Sequence, residues 1–195
     1  DAHAITVKVA SALIQETGVP FRGIMYGGFM SVSNGVKLIE YNARFGDPES
    51  LNVLPILKTD FVDVCQAILD GTLDKLDVQF EQKATVCKYI VPEGYPDQPK
   101  KGDQIEVALP AEAQHQIENG SLKMYYSSVD ERDGKLYLSS SRAIAFVGIG
   151  ETLEVAEHIA ESACSSVKGP VFYRHDVGTQ ALIAKRIAMM KQLRS

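Results

Sequence analysis

Apolar positions along the chain alternate between a helical and an extended period, and each change of period marks a change of element. Ile5, Val9 and Leu13 recur every four residues until Gly18, followed by Pro20, which predicts a helix closed by a glycine. Residues 23–32 and 36–41 are then two runs rich in apolar and β-branched side chains, separated by Ser33-Asn34-Gly35. Asn-Gly between two such runs is a strong short-range hairpin signal. The second strand leads into residues 42–49, where Pro48 fits the first turn of a helix carrying Leu51, Val53, Leu54 and Leu57. Asp60 is the expected N-cap of a further helix with Phe61, Val64 and Ile68, stopped at Gly71.

Beyond the polar, irregular stretch 73–77 the period becomes extended, which places a domain boundary near residue 78. Residues 85–91 read as a strand, ended by the turn-rich segment 92–97. Residues 122–129 and 135–139 flank Asp133-Gly134 and predict a second hairpin. Residues 143–149 form a continuous apolar run, the mark of a buried strand. A helix follows, with Leu153, Ala156, Ala160, Ala163 and Val167 on one stripe. Residues 171–173 are a short strand, and a terminal helix starts near Thr179 and carries Ile183, Ile187 and Met190. The expected class is α+β: a helix, a β-hairpin and helices in residues 1–78, then a small α+β domain of short, mostly antiparallel strands and two helices in residues 79–195.

Composition narrows the chemistry. With 45% hydrophobic and 23% charged residues, the 195-residue chain has globular proportions, and its apolar runs fall short of the roughly 20 residues of a membrane helix. The net charge of −5 divides into −4 over residues 1–78 and −1 over the remainder, so neither part carries the basic footprint of a nucleic-acid binder. Cys65, Cys87 and Cys164 are an odd number without CxxC spacing, which fits buried thiols in a reducing compartment. No basic n-region or apolar h-region opens the chain, so the expected location is cytoplasmic. It starts at Asp1 without a Met, inside a segment that already reads as helix, so the observed start is not expected to be the natural one.

The candidate site is the end of the first hairpin. Residues two apart on a strand share a face, so Glu40, Asn42 and Arg44 are expected to project together, with Ile39, Tyr41 and Ala43 opposite. A carboxylate, a carboxamide oxygen and a guanidinium on one face supply hard oxygen ligands for Mg²⁺ beside a fork for phosphate. The alternative is an edge strand with a solvated polar face. Against it, the polar face starts abruptly after Leu38 and runs into a Gly-Asp-Pro turn. His3, His115 and His158 have no clustered partner, and His175 in Tyr173-Arg174-His175-Asp176 has no nucleophile near it in sequence. Gly27-Gly28 lies in a strand and lacks phosphate-loop spacing, so it reads as a site of close packing.

Phe21-Arg22-Gly23-Ile24-Met25-Tyr26-Gly27-Gly28-Phe29-Met30 and Leu38-Ile39-Glu40-Tyr41-Asn42-Ala43-Arg44-Phe45-Gly46-Asp47-Pro48-Glu49 resemble the closing segment of the ATP-grasp core in the phosphoribosylamine–glycine ligase family. In the second half, Gly94-Tyr95-Pro96, Ser141-Arg142-Ala143-Ile144 and Tyr173-Arg174-His175-Asp176-Val177-Gly178 follow in that family's order. The resemblance implies ATP-dependent ligation of glycine to 5-phosphoribosylamine, through a glycyl phosphate, in purine biosynthesis. It assigns Glu40 and Asn42 to Mg²⁺ or Mn²⁺ bridging the ATP phosphates, and Arg44 to the γ-phosphate or acyl phosphate. Asp47 and Glu49 would position substrate, Leu38 would pack on adenine, and Arg142 with the Gly94 turn would line the phosphoribosylamine side.

The chain departs from the family pattern at Ser140-Ser141, where two glycines are usual, and at Asp97, which also replaces a glycine. Nothing in it corresponds to the family's N-terminal domain or ATP lid. The expectation is therefore a metal-competent hairpin with little or no ligase activity unless the upstream part of the same enzyme is present. Two alternatives stand beside this reading: another ATP-grasp ligase or carboxylase of nucleotide or biotin metabolism, and a non-catalytic interaction domain.

Overall fold

The computed structural model describes residues 1–194, which sort into two compact units: Asp1–Glu81 with residues 185–194, and Gln82–Ala184. In the first unit, α1 (Ala2–Thr17) ends at Gly18, whose φ of 76° is the left-handed geometry that glycine adopts without strain. Strands β1 (Tyr26–Val32) and β2 (Gly35–Asn42) pair antiparallel about the Ser33-Asn34 turn. The helix expected after Pro48 is short. Pro48 stands at the N-cap of α2 (Glu49–Val53), and the chain tightens into a 3₁₀ turn at Leu54–Ile56, where Pro55 cannot donate to an α-helical ladder. Helix α3 (Phe61–Asp70) is capped by the Asp60 carboxylate, which accepts from the Val62 amide at 2.8 Å, and stops at Gly71.

The second unit is two four-stranded antiparallel sheets with helices. Strands β3 (Ala84–Pro92), β5 (Leu122–Tyr126), β8 (Ile144–Gly150) and β10 (Val171–Phe172) form one sheet, in the order β10-β3-β8-β5. Strands β4 (Gln104–Val107), β6 (Val129–Arg132), β7 (Lys135–Leu138) and β9 (Val167–Lys168) form the other, in the order β6-β7-β4-β9. The run 122–129 is thus two strands in different sheets. The Asp133-Gly134 turn joins β6 to β7, while β5 pairs with β8. The break falls at Ser127-Ser128, whose amides donate to the carbonyls of Ala143 and Arg142. Besides α5 (Leu153–Cys164) and the start of α6 (Gln180–Arg194), whose residues from Lys185 on sort with the first unit, the unit holds α4 (Ala111–Glu118), whose mostly polar composition hides it from an apolar-period reading. Val167 belongs to β9 and not to the α5 stripe, because α5 ends at Cys164.

All seven residues of β8 are buried. Helix α5 lies on this strand through Ala156, Ile159, Ala160 and Ala163. The approach is so close that a Cβ at Gly148 would sit 1.9 Å from the Ala156 carbonyl oxygen. Ile105 and Leu138 of the second sheet share one core with Ile90, Leu122, Ile144 and Phe146 of the first.

One charge is buried here. Lys88 on β3 has no side-chain exposure, and its ammonium donates to Glu157 Oε1 at 2.6 Å, Glu161 Oε2 at 2.5 Å and the His175 carbonyl at 2.9 Å. Desolvating a lysine is costly, and these three acceptors offset the loss of water.

Candidate active site

The hairpin presents two unlike faces. On one, Tyr41 and Phe29 meet edge to face with ring centroids 5.9 Å apart, and the Tyr41 hydroxyl lies 2.6 Å from Thr6 Oγ1 on α1. Gly27 makes room for that pair: a Cβ there would come within 2.6 Å of the Phe29 ring and 2.8 Å of the Tyr41 ring. On the other face, Glu40 stands opposite Gly28 and Asn42 opposite Tyr26. Cross-strand partners in an antiparallel pair share a face. Glu40, Asn42 and Tyr26 therefore gather at the open end of the hairpin, with Glu40 exposed and Asn42 half-buried.

Strict alternation holds for Glu40 and Asn42 but fails on either side of them. The register slips between Gly28 and Phe29, so Leu38 pairs with Phe29 and lies one step out of phase with Glu40. Strand β2 ends at Asn42, so Arg44 is placed by the following bend and not by the pleat. Its Nη1 donates to the adjacent Phe45 carbonyl at 2.7 Å, and no carboxylate pairs with it among the described residues.

The turn that follows is closed by Gly46. A Cβ at this position would sit 2.4 Å from Glu49 Oε2 and 2.9 Å from the Tyr26 ring, so only glycine lets the two converge. The Tyr26 hydroxyl donates to Glu49 Oε1 at 2.9 Å. That bond, followed by partial burial and the charges of Glu49 and Glu40, raises the Tyr26 phenol above its ordinary pKa. Asp47 is exposed in this turn. Sequence reading missed Tyr26. Its only signal there is its place at the start of the first strand, which matters once the register sets it across from Asn42.

In the second unit, Arg142 is half-buried with its guanidinium carbon 5.2 Å from the centre of the Tyr89 ring. The Gly94 turn is closed by the Gln98 amide donating to the Gly94 carbonyl at 2.8 Å, and a Cβ at Gly94 would lie 2.0 Å from the Gln98 carbonyl oxygen. Close backbone packing alone accounts for glycine there. His175 joins the carboxylate cluster around Lys88, its Nδ1 2.6 Å from Glu161 Oε1 and its carbonyl accepting from Lys88.

Glu40 and Asn42 offer one carboxylate and one carboxamide oxygen, the hard donors that a divalent cation such as Mg²⁺ selects. No cluster of three or more His, Cys, Asp or Glu able to hold a metal occurs among the described residues. Two protein oxygens suit a cation whose other ligands are substrate phosphates and water.

Two family models match the chain: "Phosphoribosylglycinamide synthetase, ATP-grasp (A) domain" over residues 2–50, and "Phosphoribosylglycinamide synthetase, C domain" over residues 85–180. The phosphoribosylamine–glycine ligase of Methanococcus maripaludis strain C5 is 52% identical over 98% of this chain and 42% of its own length. That of Methanocaldococcus jannaschii is 49% identical over 99% of this chain and 42% of its own length. The crystal structure of phosphoribosylamine–glycine ligase from Thermotoga maritima superposes with a TM-score of 0.66 at 28% identity, covering 84% of this chain and 39% of that one. The chain thus spans about two fifths of the length of the curated relatives it matches.

Proposed function

The chain belongs to the phosphoribosylglycinamide synthetase family, and on that premise we propose that it is the C-terminal portion of an ATP-dependent ligase joining glycine to 5-phosphoribosylamine in the cytoplasm. Residues 1–78 close the ATP-grasp core and residues 79–195 form the C-terminal domain of that enzyme. The observation that carries the reading is the placement of Glu40 and Asn42 on one hairpin face, where they would offer two hard oxygens to a divalent cation.

In this reading Glu40 and Asn42 would hold Mg²⁺ or Mn²⁺. The cation supplies charge neutralisation to the ATP phosphates. Arg44, tied only to a neutral carbonyl, turns its guanidinium to the transferring phosphoryl group, whose planar oxygens match its fork. The glycine carboxylate oxygen attacks the γ-phosphorus, the bond to ADP breaks, and a glycyl phosphate forms. The amine of phosphoribosylamine then attacks the acyl carbon, phosphate leaves, and the amine loses its proton. Asp47 and Glu49 position substrate at the end of the hairpin, Leu38 packs against adenine, and Arg142 receives the phosphoribosylamine. The 195 residues alone are expected to give little or no turnover, because they span about two fifths of the length of the ligases they match and do not include the family's N-terminal domain or ATP lid.

The test is Glu40→Ala in the intact ligase chain. Mg²⁺-dependent ADP formation with glycine and phosphoribosylamine should fall below detection, and unchanged turnover would sink the assignment. Bicarbonate or formate in place of glycine separates this ligase from other ATP-grasp enzymes.

A further inference from the structure

The end of the hairpin holds one bond that the proposed mechanism leaves unused. The Tyr26 hydroxyl donates to Glu49 Oε1 at 2.9 Å, which ties the first residue of β1 to the first residue of α2. The turn between β2 and α2 is shaped around this pair. Gly46 is buried against it, and a Cβ there would collide with Glu49 Oε2 and stand 2.9 Å from the Tyr26 ring. A larger residue at position 46 would drive ring and carboxylate apart, so the turn admits the two as a set.

The two partners differ in stiffness. Glu49 is exposed at the start of a five-residue helix, on a long side chain with much rotamer freedom to lose. Tyr26 is half-buried, turns about fewer bonds and is seated across from Asn42 by the strand register. The hydroxyl therefore fixes the carboxylate, and not the reverse. Because Asn42 shares its face with Glu40, Glu49 is fixed at the same end of the hairpin as the two oxygens proposed for the cation.

On the ligase reading, on which this inference rests, the ATP phosphates and glycine meet at this end. Phosphates and the glycine carboxylate are anions, which a fixed carboxylate repels, whereas the glycine ammonium is a cation that it attracts. The same turn carries Arg44, whose guanidinium donates to the neutral Phe45 carbonyl. A zwitterion one carbon long is matched by opposite charges on one short segment, and residues 44–49 supply them.

We propose that Tyr26 is a positioning residue for glycine recognition: its hydroxyl holds Glu49 so that the carboxylate accepts the glycine ammonium, and the phenol itself does not touch the substrate. With Oε1 accepting from Tyr26, Oε2 is left as the acceptor for the ammonium.

In the intact ligase, Tyr26→Phe keeps the ring against Gly46 and removes only the bond. KM for glycine should rise about tenfold, the effect of losing one hydrogen bond to a charged group, while KM for ATP moves by less than about twofold. Glycine affinity, measured by calorimetry with Mg²⁺ and a non-hydrolysable ATP analogue, should weaken in the same ratio. Glu49→Gln keeps an acceptor for the hydroxyl and loses the charge, so it should raise KM for glycine by at least about thirtyfold. In that background Tyr26→Phe should add less than about twofold, because its effect runs through Glu49. Unchanged glycine affinity in Tyr26→Phe, or an undiminished effect beside Glu49→Gln, would overturn the role of Tyr26. Either result leaves the ligase reading standing where Glu40→Ala abolishes turnover, and a Glu40→Ala variant that keeps turnover overturns both.

Discussion

Strands β8 and β2 both lie beside a helix, yet all seven residues of one are buried and no residue of the other is. The helices differ in the same way. Helix α5 buries Ala156, Ile159, Ala160, Ala163 and Cys164, whereas α1 buries none of its stripe. Across residues 1–81, Val64 and Ala67 are the only buried hydrophobic side chains, while Val62, Ile39 and Leu69 are each more than 60% exposed. The second unit closes its own core and the first does not. Periodicity reports which face of an element is apolar; it does not report whether this stretch of chain covers that face. The hairpin that carries Glu40 and Asn42 belongs to the open unit, as expected of a site whose remaining walls come from elsewhere.

The contrast is sharpest at two glycines. At Gly148 a Cβ would strike the α5 backbone, 1.9 Å from the Ala156 oxygen and 2.9 Å from the Ala160 nitrogen. Gly148→Val should cost at least about 3 kcal/mol in chemical denaturation of the second unit, since helix and strand must part to admit it. Gly28 on β1 has only ordinary contact, 3.4 Å to Glu40 Cγ, so Gly28→Ala should change stability by less than about 0.5 kcal/mol. Equal losses at the two positions would break the distinction between a closed and an open unit.

The buried ion pair comes next in size. Lys88→Met strips the cation from Glu157 and Glu161, whose side chains keep 17% and 30% exposure, so the loss should be about 2–3 kcal/mol, below that of a fully buried pair. Adding Glu161→Gln should recover part of it. Burial pushes the Glu161 carboxyl up, but its bonds from Lys88 and His175 outweigh this and hold it below its ordinary 4.5. Its contribution is therefore present above pH 4.5 and is lost as pH falls through the lower folded value. For Lys88, burial pulls down and the bonds to Glu157 and Glu161 raise it past its ordinary 10.5. That contribution is complete below pH 10.5 and is lost only as pH rises through the higher folded value. Thermal unfolding against pH should show an acid limb that Glu161→Gln flattens.

Much of this fold is legible in the sequence because its punctuation is local. Gly18, Gly71, Asp60 and the Asn34-Gly35 and Asp133-Gly134 turns act within a few residues of themselves. What escaped is set by distant partners. The run 122–129 splits because β8 claims β5, and α4 is polar enough to leave no stripe. The site divides in the same way. Glu40 and Asn42 follow from the pleat, whereas the place of Leu38 depends on a register slip against β1 and that of Tyr26 on its pairing with Asn42. Lys88 is unreadable from its neighbours, since nothing near it in sequence announces carboxylates 69 and 73 residues away.

The smallest expected effect bears most directly on the open unit. Ile39 is 63% exposed at the register slip of the hairpin, and Thr keeps its β-branch and its fit to a strand. In the 195-residue chain, Ile39→Thr should change unfolding free energy by less than about 0.5 kcal/mol, because little apolar area is being returned to water. In the intact ligase, where the proposed upstream part of the enzyme completes the ATP-grasp core, the same substitution should cost about 1 kcal/mol or more, the price of a methyl-bearing side chain taken from a packed site. A negligible effect in both chains would mean that this face of the hairpin stays open in the whole enzyme, and an equal cost in both would mean that the 195 residues already cover it.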